Sequence, residues 1–306
     1  MKKQTQKRAF YVLAGCVAAL ALCMAAALAL LVRAPKAQDV RIPGTRGEIC
    51  ATVQLPGKLA RSGAMPLAVL CHGFTGDRGG DGHFAALAAD LAAQGIASVR
   101  LDFPGCGEST EPYTAYTLSH MADDVESVIR YMQQTYGTGS TALVGHSMGG
   151  RLASLYPQRK GGVAALVLWS PANGAGLQGL EFLNIDDFTA VESLAAEAEA
   201  NGTVSTWGVT ISGDFVTEMR ASDPNAALRE SALPTLLTYS GHEGILSDTT
   251  QAETIAAVQS LPQGEAVLAP FAAGNHNYLS DDPAVSAALD KALRQETTDF
   301  LVKYLR

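Results

Sequence analysis

The chain has 306 residues, 47% of them hydrophobic and 17% charged, a composition typical of a folded protein with a sizeable core rather than a disordered chain. Its net charge is −8, but residues 1–38 carry six basic residues and no acid, which leaves 16 basic and 30 acidic residues in the remainder. A body this acidic offers no obvious surface for DNA or RNA, and it argues against a polyanionic substrate.

The first 38 residues have the pattern of a targeting segment. A basic start, "MKKQTQKR", precedes an apolar run from Ala9 to Val32 that contains no charge and is long enough to span a bilayer. Basic residues on the N-terminal flank predict an N-terminus in the cytoplasm and a body outside it. We therefore predict an uncleaved signal anchor with a transmembrane helix over 9–32, or else a signal peptide whose cleavage releases a secreted protein.

The five cysteines do not indicate a disulfide framework in a chain of this length. Two of them lie in the apolar segment, which leaves Cys50, Cys71 and Cys106 in the body. A Cys50–Cys106 disulfide is open to a protein outside the cell, but the sequence contains no geometry that decides it. Because no Cys/His spacing is typical of zinc, no metal site is predicted.

Strand-like and helix-like runs alternate after a linker at residues 33–46. The predicted strands are "EICATVQL", "MPLAVLCHG", "IASVRLDF", "TALVG", "VAALVLWSP", "PTLLTYSG" and "GEAVLAP". The predicted helices are "HFAALAADLAAQG", "LSHMADDVESVIRYMQQTYG", "SMGGRLASLYP" (ending at Pro157), "DTTQAETIAAVQSL" and "PAVSAALDKALRQETTDFLVKYL". This alternation predicts an α/β fold with a doubly wound, mostly parallel sheet.

A gap at about 171–233 breaks the alternation. It contains an acidic, Ala-rich helical run, "AVESLAAEAEA", and a candidate turn at Asn201-Gly202. Because the gap lies between two predicted core strands, we expect an insertion that folds over the sheet as a cap. Four aromatic residues in or near the insertion are candidates for lining a substrate pocket: Trp169, Phe182, Phe188 and Trp207.

A single serine lies between glycines where a predicted strand meets a predicted helix. The segment Gly145-His146-Ser147-Met148-Gly149 fits the pattern G-x-S-x-G in the strand–turn–helix context that gives the pattern its meaning. The sharp turn raises the serine hydroxyl above the sheet and requires small residues two positions before and after it. Ser147 is therefore the predicted nucleophile, and the Met148 N–H at the helix N-terminus is a predicted oxyanion donor.

A second oxyanion donor is expected in the loop after an earlier strand. The segment "LCHGFTGDRGG" supplies such a loop, in which the Phe74 N–H is the candidate donor. His72 precedes the nucleophile in the chain, so we interpret it as a structural histidine bonded to loop backbone rather than as the base.

The chain resembles the α/β-hydrolases, and within that fold the bacterial cinnamoyl/feruloyl esterase-type and related serine carboxylesterases. The resemblance rests on "HGFTGDRGG", "LAAQGIASVRLDFPGCGES", "LVGHSMGGRLAS" and "GNHNY" in that order, and it covers roughly Leu67 to Arg306. It implies an α/β-hydrolase domain over 39–306 with a cap insertion. It also implies that Asp102 shapes a loop beside the site without taking part in catalysis.

The fold's order of nucleophile, acid and base directs the search for partners downstream of Ser147. His276 follows the last predicted strand, where the resemblance places the catalytic histidine. Related enzymes usually carry His-Gly-x-x-Asp after the penultimate strand, whereas this chain reads "SGHEGIL". With one residue deleted, Glu243 occupies the acid position. Asp248 is the alternative, although it lies where a helix N-cap is expected.

These residues predict a serine hydrolase that cleaves a small-molecule carboxylic ester and needs no cofactor or metal. A lipase or a peptidase remains open within the fold. A different class of protein also remains open, namely a membrane-tethered binding protein that has the fold but no catalytic activity. The altered acid loop is the feature that supports this alternative. The oligomeric state and the ester itself are not determined by the sequence.

Overall fold

The computed structural model describes residues 37–57 and 64–306 of the chain. The predicted transmembrane helix at 9–32 lies outside the described residues, as does nearly all of the predicted targeting segment at 1–38. Within the two described ranges, no helix combines the length and the apolar character that crossing a membrane requires.

An eight-stranded sheet organises the described chain, and a separate two-stranded sheet lies between its sixth and seventh strands in sequence. The strands are β1 (Ala37–Pro43), β2 (Glu48–Gln54), β3 (Met65–Cys71), β4 (Ala97–Leu101), β5 (Thr138–His146), β6 (Ala165–Trp169), β7 (Thr203–Thr206), β8 (Val209–Ser212), β9 (Thr235–Thr238) and β10 (Gly264–Val267). The large sheet has the order β1-β2-β4-β3-β5-β6-β9-β10. Only β2 runs antiparallel to its neighbours, so the predicted mostly parallel sheet is confirmed.

Helices cover both faces of this sheet. They are α1 (His83–Ala93), α2 (Leu118–Tyr136), α3 (Met148–Arg159), α4 (Phe188–Asn201), α5 (Gly213–Arg220), α6 (Pro224–Ser231), α7 (Asp248–Gln259) and α8 (Pro283–Leu305). One hydrophobic cluster contains residues of α1 and α8, and the other contains residues of α2, α3 and α7. Successive residues of β3 alternate between the two, with Val69 in one cluster and Leu70 in the other, as the two-residue period of a strand requires.

The predicted linker at 33–46 is wrong over most of its length, because β1 occupies Ala37–Pro43 and pairs antiparallel with β2. Its polar residues are exposed, while Ile42 is buried and Val40 is half-buried. An edge strand has one open side and few apolar residues, so its sequence pattern is weak. The pairing that stabilises it comes from β2.

The segment between β6 and β9 folds as short helices and the β7–β8 hairpin. A 3₁₀ helix, Gly176–Leu183, precedes α4, and Gly202 ends α4 with a left-handed φ of 80°. The buried residues of this segment belong to the same hydrophobic cluster as those of α2 and α3. The two-residue hairpin turn, Trp207-Gly208, has φ values of 51° and 75°, as a type I′ turn requires.

Helix α3 passes through Pro157 and ends at Arg159, so the predicted end at Pro157 is wrong. Pro157 lies in the last turn of the helix. Its missing N–H removes one helical hydrogen bond, but the Lys160 N–H still donates to the carbonyl four residues earlier at 2.8 Å, so the helical bonding continues past it. Gly161 and Gly162, with φ of 69° and 74°, turn the chain after the helix.

Arg151 on α3 is fully buried and connects that helix to the inserted segment. Its guanidinium donates to the carbonyls of Ala172 at 2.8 Å and Gly174 at 2.6 Å, and to Ser222 Oγ at 2.7 Å. Burial lowers the pKa of Arg151. Among the described residues no carboxylate forms an ion pair with it, so neutral oxygens replace a counterion.

We expect Arg151→Met to lower the free energy of unfolding by about 3 kcal/mol or more, because it leaves several buried oxygens without a donor. Urea unfolding followed by circular dichroism measures the change. Arg229→Met, which removes an exposed arginine, should shift stability by less than about 0.5 kcal/mol. Equal unfolding midpoints for the two variants would contradict this role for Arg151.

Candidate active site

Ser147 occupies the turn between β5 and α3, with φ 53° and ψ −115°. A Cβ added at Gly145 would lie 2.2 Å from the Gly149 carbonyl oxygen, and one at Gly149 would lie 2.2 Å from the Cys71 carbonyl oxygen. The predicted need for small residues on both sides of the serine is therefore confirmed. The Ser147 N–H donates to the Trp169 carbonyl at 2.9 Å, which holds this strained turn against β6.

His276 and Glu243 lie on two different loops and are hydrogen-bonded to each other. His276 Nδ1 is bonded to Glu243 Oε1, and both residues are buried. The second carboxylate oxygen of Glu243 accepts from Ser170 Oγ at 3.0 Å and Ser240 Oγ at 3.2 Å. This contact leaves Nε2 as the nitrogen of His276 that is available to a neighbouring hydroxyl.

Asp248 is placed differently from Glu243. It is the first residue of α7, and the N-cap of that helix is Ser247, whose hydroxyl accepts from the Thr250 N–H at 3.2 Å. The expectation that Asp248 is the cap is therefore wrong by one residue. Among the described residues, no hydrogen bond joins Asp248 to His276.

Backbone pairing holds the two loops together. A parallel bridge joins His242 to Asn275, and the His242 N–H donates to the Gly274 carbonyl at 2.9 Å. The Gly241 N–H donates to the Phe271 carbonyl, also at 2.9 Å. These contacts flank Glu243 and His276 in the chain, so the two side chains meet at a place that the backbone determines.

The predicted oxyanion donors belong to backbone beside Ser147. A Cβ added at Gly73 would lie 3.0 Å from Ser147 Cβ, so the loop before Phe74 packs directly against the nucleophile turn. Neither the Phe74 N–H nor the Met148 N–H has a hydrogen-bond acceptor among the described residues. The Met148 side chain is fully buried in the core. Its backbone N–H is therefore the group that Met148 contributes to the site at the N-terminus of α3.

His72 is a structural histidine, as predicted. Its Nε2 accepts from the Phe103 N–H at 3.1 Å, so the proton lies on Nδ1, which is 2.8 Å from the Gly73 carbonyl oxygen. Burial lowers the pKa of His72, which keeps the ring neutral. Asp102 also has the predicted structural role, since its carboxylate accepts from the Arg78 side chain and from the Glu108 N–H at 3.0 Å.

His146 lies beside the nucleophile and is neutral. Burial lowers its pKa well below the ordinary value, and the neighbouring His276 acts in the same direction. Its Nε2 is 3.2 Å from the His276 carbonyl oxygen, so that nitrogen carries the proton and donates. Nδ1 is then an unprotonated acceptor, and it lies 3.6 Å from Asp81 Oδ2.

Several residues around the site were missed by sequence reasoning. Ser170 supports Glu243, and Tyr278 donates to the Thr238 carbonyl at 3.0 Å while lying 3.2 Å from Ser170 Oγ. His83 Nε2 lies 2.9 Å from the carbonyl oxygen of Asn277, the residue that follows His276 in the chain. The signals were weak: a serine at a strand end, and a tyrosine two residues after the predicted base.

A cleft with a cavity volume of about 170 Å³ contains Ser147 and His276. Phe182 and Trp207 from the insertion line it, and their rings lie 5.6 Å apart. The other two pocket candidates do not line it. Trp169 is buried and donates from Nε1 to Thr297 at 3.0 Å, whereas Phe188 lines a different groove.

Cys50, Cys71 and Cys106 are buried free thiols, so the disulfide that the sequence left open is not formed. The Cys50 Sγ donates to the Glu108 carbonyl at 3.0 Å and contacts Arg41. Across the described residues, no cluster of three or more His, Cys, Asp or Glu side chains could hold a metal ion.

Comparison with known sequences points to one class of protein. Residues 66–216, just under half of the chain, match the family described as "alpha/beta hydrolase fold". A segment of 83 residues is 35% identical to the proline iminopeptidase of Saccharolobus solfataricus. That match covers 26% of each protein, so the chain spans about a quarter of the length of this curated relative.

Solved structures agree at the level of the fold. The ferulic-acid-bound Est1E from Butyrivibrio proteoclasticus is 18% identical with a TM-score of 0.67, over 86% of this chain and 99% of that one. The esterase domain of a Rhodothermus marinus protein is 20% identical with a TM-score of 0.63, over 89% and 100% of the respective chains. With the sheet order and the serine turn, these matches show that the chain has the α/β-hydrolase fold.

Proposed function

We propose that this protein is a serine hydrolase that cleaves carboxylic esters through an acyl-enzyme on Ser147. One observation carries the proposal: the hydrogen bond between Glu243 and His276 lies beside the cleft that contains Ser147. A buried carboxylate on Nδ1 of a histidine near a strained serine is the arrangement that activates a hydroxyl nucleophile.

In the proposed reaction, His276 Nε2 removes the Ser147 proton as Oγ attacks the ester carbonyl. Glu243 holds the imidazole in the required tautomer and stabilises the imidazolium that forms. The Phe74 and Met148 N–H groups, which have no acceptor among the described residues, donate to the oxyanion of the tetrahedral intermediate. His276 then protonates the leaving alcohol, and water repeats the sequence on the acyl-enzyme.

The small cleft and its aromatic wall favour esters with a small acyl or alcohol group at the reacting centre. One of the similar structures holds bound ferulic acid and another is an esterase domain, which supports an ester substrate. The proline iminopeptidase relative makes a peptidase the second candidate activity. The non-catalytic alternative depended on the altered acid loop, and the contact between Glu243 and His276 is evidence against it.

The location of the enzyme belongs to the same proposal and rests on the sequence of residues 1–38. A helix over 9–32 would anchor the chain with its catalytic domain outside the cytoplasm. Cleavage of the segment would release a secreted enzyme.

We expect a fluorophosphonate probe to label Ser147, and labelling to abolish hydrolysis of p-nitrophenyl acetate. Peptide mass spectrometry locates the adduct, and Ser147→Ala should show neither labelling nor turnover, because the nucleophile is absent. Ser193→Ala, which changes an exposed serine of α4, is the control and should behave as the wild type. A folded wild-type protein that is neither labelled nor active on a panel of esters and peptides would refute the proposal.

A further inference from the structure

Asp81 lies in the wall of the cleft on a tightly constrained loop. Three consecutive residues, Gly80, Asp81 and Gly82, have left-handed φ values of 55°, 53° and 92°. A Cβ at Gly80 would lie 2.5 Å from the Phe84 ring, and the Gly82 N–H donates to the Gly79 carbonyl at 3.2 Å. Aspartate tolerates this conformation better than most side chains, but the loop still holds its carboxylate in one place.

The Asp81 carboxylate has no hydrogen-bond donor among the described residues. Its Oδ2 lies 3.6 Å from His146 Nδ1. Because the His146 proton lies on Nε2, the two facing atoms are both acceptors. A Cβ placed at Gly73 would lie 3.5 Å from both His146 Nδ1 and Ser147 Oγ. His146 Nδ1 therefore borders the same space as the nucleophilic hydroxyl.

The charges around the cleft do not neutralise Asp81. The lining residues include no lysine or arginine. The Glu243 carboxylate already has His276 as its hydrogen-bond partner. The Asp81 side chain is 39% exposed, so a ligand in the cleft can reach it. Desolvation raises the pKa of Asp81, whereas His83 and His276 act in the opposite direction. A cation beside a partly desolvated carboxylate stabilises its charged form.

We propose that Asp81 and His146 Nδ1 form a subsite for an ammonium group of the substrate, so that the enzyme prefers esters bearing an N–H cation over neutral esters of the same shape. The ammonium supplies the missing donor to two facing acceptors and places its charge beside an unpaired carboxylate. The inference rests on the proposed esterase function and names the substrate class of that same site.

Two pairs of esters test the subsite, one with the charge on each side of the ester bond. β-Alanine ethyl ester is compared with ethyl butyrate, and 2-(dimethylamino)ethyl acetate with 3-methylbutyl acetate. Each pair differs by replacement of an ammonium nitrogen with carbon, and kcat/KM is measured with the full chain at neutral pH. The readout is the cationic-to-neutral ratio in the wild type divided by that in a variant, which cancels the intrinsic reactivity of the esters.

The variants are Asp81→Asn and Asp81→Gly, both of which accept a left-handed φ. Each should lower the ratio about ten-fold or more in at least one pair, as loss of a charge-assisted hydrogen bond predicts. Asp186→Asn, which removes an exposed charge of the insertion, should leave the ratio as it is.

Two results would overturn the subsite: an unchanged ratio in both pairs, or an equal fall for cationic and neutral esters. The second would mean that Asp81 acts only through the neighbouring imidazoles. Wild-type turnover of the neutral esters separates these outcomes from failure of the proposed function, because an inactive, folded wild type would remove both proposals.

Discussion

Glu243→Ala is expected to lower kcat for ester hydrolysis by about 10³- to 10⁴-fold, whereas Asp248→Ala should remain within about three-fold of the wild type. The reason is geometric. Glu243 is the carboxylate bonded to His276 Nδ1, and two serine hydroxyls hold its second oxygen. Without it, the imidazole loses both its fixed tautomer and the anion that stabilises its charged form.

Two conservative variants sharpen this prediction. Glu243→Gln keeps the size and a hydrogen-bonding group but removes the charge, so a large loss of kcat should persist while KM changes little. Glu243→Asp shortens the side chain and tests whether the longer glutamate compensates for the deleted loop residue. Near-wild-type turnover of Glu243→Ala, or a loss of equal size in Asp248→Ala, would show that the acid is assigned to the wrong residue.

Gly149→Ala is expected to disrupt the nucleophile turn and to destabilise the protein by about 3 kcal/mol or more. The added Cβ would lie 2.2 Å from the Cys71 carbonyl oxygen and 2.6 Å from the His72 carbonyl oxygen. Both are backbone atoms at the end of β3, so no side-chain rotation relieves the clash. The strand that precedes the Phe74 loop has to move away from Ser147.

Thermal unfolding and esterase activity measure the effect together, and both should fall. The matched control is Gly47→Ala, because a Cβ at Gly47 meets nothing within 4 Å and its backbone is not left-handed. That variant should keep its activity and its melting temperature. If Gly149→Ala melted and reacted as the control does, the close packing of the turn would not be what constrains this position.

Much of the fold could be predicted because it depends on local patterns. Most of the strands and helices follow from hydrophobic periodicity and glycine positions, which reflect geometry within a few residues. Elements whose stability comes from distant partners were harder. The edge strand β1 looked like a linker because its pairing with β2 supplies what its own sequence lacks. Helix α3 continues past Pro157 because a proline removes its own N–H donor but does not prevent the residues after it from making helical hydrogen bonds.

The candidate site divides in the same way. The serine turn could be predicted from the segment Gly145 to Gly149, because the small residues that the turn requires lie within that segment. The sequence favours Glu243 over Asp248, because Glu243 occupies the acid position of the family's loop once one residue is deleted and Asp248 lies where a helix N-cap is expected. The contact itself depends on the pairing of the His242 and Asn275 loops, which brings the Glu243 carboxylate to His276. The subsite at Asp81 could not be predicted from the sequence for a similar reason, because it depends on which nitrogen of His146 carries the proton.

The sequence by itself determined the layered α/β architecture and the turn that presents Ser147, because each follows from short-range sterics or from strand and helix periods. The tertiary structure decided between the two candidate acids for His276, which aromatic residues reach the cleft and where an unpaired carboxylate faces it. These are contacts between loops far apart in the chain, and the sheet that positions those loops sets their geometry.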